Sequence, residues 1–196
     1  NYFSSIEIYY FIVIAIIIGA ITQSAVGIGF GISGSLIILV EPTMIPQCIV
    51  LMGTVLAFSN AFLSFNDILK KDLFFAFSGR IIGTFISVPL IIYTIGTNNF
   101  LIIFGLLLLI TVGISAKKWS FKANMKNVSI AGACSGFMGT LTGIGGPPMG
   151  IVYQNSKSTN VVATLNMFFG VGALFSVIIL TYIELITLKD VFKSLL

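Results

Sequence analysis

The sequence contains no histidine, and its only charges are ten basic and six acidic residues among 196. Charged residues make up 8% of the chain, against about 25% in a typical soluble domain, too few to cover a water-facing surface. The absence of histidine excludes His-based metal sites, Ser–His nucleophiles and His proton relays. The six acids, Glu7, Glu41, Asp67, Asp72, Glu184 and Asp190, all fall at the edges of apolar stretches. That leaves no paired carboxylates within a membrane for hydrolysis or proton relay, so no enzyme, metal or cofactor is expected. The two cysteines, Cys48 and Cys134, sit inside apolar runs without disulfide or metal spacing. The first residues carry no basic segment of the signal-peptide kind. The chain opens without a methionine, and a trimmed start is expected.

What is present is apolar: 57% of residues are hydrophobic, with mean hydropathy +1.11. Uncharged runs cover 8–40, 42–66, 81–116, 127–156 and 158–183, each longer than the ~20 residues that cross a bilayer as a helix. No alternation of the transmembrane-barrel kind occurs. The fold class expected is all-α, a polytopic membrane protein. The net charge of +4 reads as a topology signal in inter-helix loops rather than as nucleic-acid binding.

Two stretches break the pattern of simple spans. Residues 8–26 run into GIGFGISG, with glycines at 27, 29, 31 and 34, and residues 127–142 run into GIGGPPMG, residues 143–150. Each is followed by an apolar arm of only seven to ten residues, about 10–15 Å of helix or half a bilayer. Broken or re-entrant hairpins with glycine-rich tips near the midplane are therefore expected. Gly27-Ile28-Gly29 matches Gly143-Ile144-Gly145 at a separation of 116, and Lys71-Asp72 matches Lys189-Asp190 at 118, which points to an internal repeat. The first repeat is placed at 1–116, with helices about 8–26, 31–40, 44–65, 73–95 and 99–116. The second, at 117–196, holds helices about 127–142, 147–155, 160–182 and 189–196. It stops where the first continues through two more helices, so a longer chain is expected. Lys70, Lys71, Lys117, Lys118, Lys122 and Lys126 assign one side as cytoplasmic; counting spans from there places Lys157 inside and Lys189 and Lys193 outside, the last two against the rule. Trp119 is expected as an interfacial anchor. Five elements separate equivalent points, an odd number, so the repeats are expected to be of inverted topology.

At each tip a new helix begins, and its free N–H groups and positive dipole end point into the break. Gly27, Gly29, Gly31, Gly143, Gly145 and Gly146 allow close approach, and Pro147 with Pro148 suits a first helical turn. Gln23 and Ser24 before the first tip, Ser33 and Ser35 after it, and Thr140 and Thr142 before the second supply hydrogen bonds. Facing tips would make an uncharged but electropositive cradle for a small anion. Neither tip carries a P-loop lysine, so nucleotide binding has no support. Asn60 and Asn166, mid-span, read as interhelical glue or as pore lining. Arg80 is expected to snorkel toward the lysine-rich end, with anion attraction as the sharper alternative.

GIGFG (27–31), TGIGGPP (142–148) and NDILKKDLFFAFSGRIIG (66–83) together resemble the TauE/SafE sulfite-exporter family. The resemblance implies a multi-pass carrier of sulfur-containing anions, sulfite or organosulfonates, in a prokaryotic plasma membrane. The function expected is a small-anion transporter, with an anion channel or a non-transporting scaffold subunit as alternatives. The partners expected are a small anion and the lipid bilayer, not nucleic acid, and a homo-oligomer is left open.

Overall fold

A computed structural model of the chain describes residues 5–116, 121–156 and 158–195. The orientation markers Lys117 and Lys118, together with Lys157 and the expected anchor Trp119, lie outside the described residues. Among the described residues all regular structure is helical: α1 (Ser5–Val26), α2 (Phe30–Ile37), α3 (Gln47–Leu63), α4 (Lys70–Thr94), α5 (Asn98–Ala116), α6 (Met125–Thr142), α7 (Gly146–Tyr153), α8 (Thr159–Tyr182) and α9 (Leu188–Leu195). Helices Ile6–Val26, Lys70–Thr94 and Thr159–Tyr182 are long and apolar enough to cross a membrane, and the chain has the make-up of a polytopic membrane protein.

Both helix breaks form where the glycines demand them. Gly27 and Gly29 have φ of 78° and 148°, in the left-handed region that L side chains avoid, and they separate α1 from α2. Gly143, at φ 77°, caps α6 with its N–H on the Gly139 carbonyl. Pro147 and Pro148 then occupy the first turn of α7, where a missing N–H costs nothing. Two other helix starts are capped by side chains: Asn124 accepts from the Asn127 N–H at α6, and Ser158 from the Val161 N–H at α8. The span expected from 44 opens at Gln47 instead, because Pro42–Met44 forms a 3-10 turn and Pro46 sits at the cap. At 17 residues α3 covers about 25 Å.

The helices assemble through small residues. Gly79 and Gly83 of α4 meet Gly132 and Gly136 of α6, and a Cβ on any of the four would collide with a facing carbonyl. Two Gly-x-x-x-Gly pairs thus bring the backbones together, the contact by which helices associate in lipid. The order of those collisions, Ala76 against Gly132 and Arg80 against Gly136, makes α4 and α6 parallel. Helix α8 lies beside them, with Gly172 against Arg80, and α3 packs antiparallel to α8. The last helix, α9, rests on the start of α3: Lys193 Nζ donates to Thr43 Oγ1 at 3.3 Å. Lys189 and Lys193 therefore sit at the end of the fold opposite Lys70 and Lys71.

Candidate functional site

The two breaks meet. Ile28 of the first tip packs where Gly146 and Gly150 lack side chains, and Ile144 of the second packs against Gly31 and Gly34. Gly34–Ile144 and Gly150–Ile28 exchange under the 116-residue shift, so each tip seats its isoleucine in the other's half-helix. Between them lies a cavity of about 50 Å³, several times the ~10–15 Å³ that admits a water. Its lining includes Gln23, Gly29, Gly31, Gly143, Gly145 and Gly146, all expected from the sequence, together with Arg80.

Arg80 is the charge in this cavity. It does not snorkel; only 3% of it is exposed. It stands ten residues into α4, about 15 Å from the start, and its side chain turns inward into the space left by Gly172, where a Cβ would overlap Nε and Cδ. Phe168 and Phe169 hold the guanidinium carbon at 5.0 and 5.9 Å from their ring centroids, within reach of cation–π attraction. The route to the lysine-rich surface is thereby filled by aromatic rings. Nη1 donates to Ser135 Oγ at 3.2 Å, and that hydroxyl donates to the Gly145 carbonyl at 2.6 Å, tying the arginine to the second tip. Nε has no hydrogen-bond partner. Among the described residues no carboxylate pairs with Arg80, and no acid lines the cavity.

Gln23 organises the first tip. Its amide nitrogen donates to the Gly27 carbonyl at 3.1 Å and to Asn166 Oδ1 at 3.0 Å, while its oxygen accepts from the Phe30 N–H at 3.3 Å. One helix-end donor of α2 is thus already used. Asn60 reaches the same Asn166 oxygen at 3.5 Å and pairs with Ser24 at 3.0 Å. These four form one polar chain leading away from the cavity, with Ser24 exposed. At the second tip Pro147 and Pro148 have no N–H, so Gly145 and Gly146 are the donors that α7 presents to the cavity.

Other expected residues lie elsewhere. Thr142 closes its own turn on the Met138 carbonyl and accepts from Ile144 N–H. Ser33 and Ser35 bond back to Phe30 and Gly31. Thr140 follows the cavity-lining Gly139 on α6 but joins a separate, fully buried hydroxyl cluster, with Thr84 at 3.2 Å and Ser176 at 2.8 Å. The sequence reading missed Gly139, Gly172, Ser135, Phe168 and Phe169. The glycines of α6 and α8 were visible in the sequence, but nothing there paired them with Arg80.

A family model, "Sulfite exporter TauE/SafE", matches residues 11–195. No curated protein and no solved structure matches the chain.

Proposed function

The chain belongs to the TauE/SafE sulfite exporter family, a family of membrane transporters, and from that premise we propose that it carries a small sulfur oxyanion or sulfonate bound at Arg80 between the two glycine tips. The observation that carries this reading is the unpaired guanidinium. A buried ion costs several kcal/mol even after relaxation, and Arg80 has no carboxylate to offset it. An anion in the cavity supplies the missing partner, with the N–H groups and dipole ends of two helices converging on the same space. The volume suits a compact group such as sulfite; a sulfonate with a longer tail needs the cavity to widen.

The reciprocal seating of Ile28 and Ile144 supports two inverted repeats, 1–116 and 117–196, related about the cavity. Transport then follows from rocking one half against the other around a site near the midplane. The distribution of lysines supports a multi-pass arrangement in a plasma membrane with Lys70, Lys71, Lys122 and Lys126 on the cytoplasmic side. The deciding experiment is sulfite flux in proteoliposomes of wild type and Arg80→Gln at matched insertion. Saturable wild-type flux that falls at least tenfold in the variant is expected. Equal flux in both would remove Arg80 from the mechanism.

A further inference from the structure

A second hollow, a groove of about 610 Å³, opens on the flank where α4, α5, α6 and α7 come together. Its walls are apolar, with Ile86, Leu107, Ile130, Phe137 and Pro148 among them, and no acid lines it. The polar exception is Asn127, at one end. There Asn127 Nδ2 donates to the Lys122 carbonyl at 2.9 Å, and Lys126 heads the row 126, 130, 134 and 137, which is the face of α6 turned to the groove. Both lysines are exposed. From Asn127 to Met138 the groove follows α6 for about 16 Å, close to half of the ~30 Å hydrocarbon core.

An occupant thus enters at a basic surface and ends near mid-depth, which is the reach of a lipid from one leaflet and not of a spanning helix. We propose that the groove binds one anionic phospholipid, with an acyl chain along α6 and its phosphate at Lys122 and Lys126. Basic recesses between helices on the cytoplasmic side recognise anionic headgroups by this chemistry. The chain would rest on Pro147 and Pro148, the outer side of the half-helix whose Gly145 and Gly146 line the anion cavity. The bound lipid braces the second tip from behind.

The test is native mass spectrometry of the full chain after delipidation and exchange into mixtures of phosphatidylglycerol and phosphatidylcholine. One phosphatidylglycerol per chain, retained in preference to phosphatidylcholine, is expected. Lys122→Gln with Lys126→Gln should weaken retention by roughly ten- to thirtyfold, at about 1 kcal/mol for each lysine. Cys134→Phe, filling the groove from its exposed cysteine, should displace the lipid with the lysines intact. Equal retention of the two lipids, wild-type retention in either variant, or cross-linking that finds a second copy in the groove overturns the proposal. None of these readouts depends on transport.

Discussion

A guanidinium sealed among phenylalanines is a liability on its own and, under the proposed function, an asset once an anion joins it, and the two states can be separated. Without anion, Arg80 keeps an unpartnered Nε and a buried charge. Exchanging even a buried ion pair for packed apolar groups of similar volume is often neutral or stabilising by roughly 1–4 kcal/mol, and a buried charge without a counter-ion has still less to lose. Arg80→Met should therefore raise the ligand-free melting temperature in detergent, while abolishing the further rise that sulfite gives to wild type through mass action. A lower ligand-free melting temperature would mean that Arg80 is a structural tether through Ser135 rather than a binding group. Gly172 offers a complementary change. A methyl there overlaps the guanidinium, so Gly172→Ala should shift the charge and weaken sulfite binding by roughly ten- to a hundredfold, in line with the ~1.5–3 kcal/mol of a charged hydrogen bond, at unchanged insertion. Isothermal titration on both proteins reads that difference.

At the scale of elements, the four glycines between α4 and α6 set how closely the parallel helices approach. Gly83→Leu forces a side chain into the Ala133 carbonyl, and a loss of several kcal/mol is expected, at the severe end for single substitutions. Gly105→Ala, on α5 with open space around it, should instead gain roughly 0.5–1 kcal/mol from helix propensity. Chemical unfolding of the two variants separates a packing glycine from a merely helical one. The same contrast explains what could be read in advance. The breaks after α1 and α6 were legible because left-handed backbone needs glycine, and Gly27, Gly29 and Gly143 adopt it. The spacing 79–83 against 132–136 was equally present in the sequence and went unread, since a Gly-x-x-x-Gly names no partner. Arg80 was misplaced for a related reason. Periodicity gives a residue its height along a helix, whereas its destination was decided by Phe168, Phe169 and Gly172, some ninety positions later.

For the whole molecule, the question is whether the two tips separate during transport. In the structure each isoleucine fills the other tip's glycine gap beside the cavity. If one half rocks against the other, these contacts must open in turn, because they join the first hairpin to the second. The geometry supplies its own clamp: Ile28 Cβ lies 3.8 Å from the position a Cβ on Gly146 would take, the mean Cβ–Cβ separation across a disulfide. Ile28→Cys with Gly146→Cys, in a background with Cys48 and Cys134 replaced by serine or alanine, should cross-link under mild oxidation. The oxidised protein should lose flux and regain it on reduction, whereas the reduced double variant should keep a measurable fraction of wild-type rate. Full flux from a quantitatively cross-linked sample would show that the tips travel together, so that access alternates by moving the joined pair as one body.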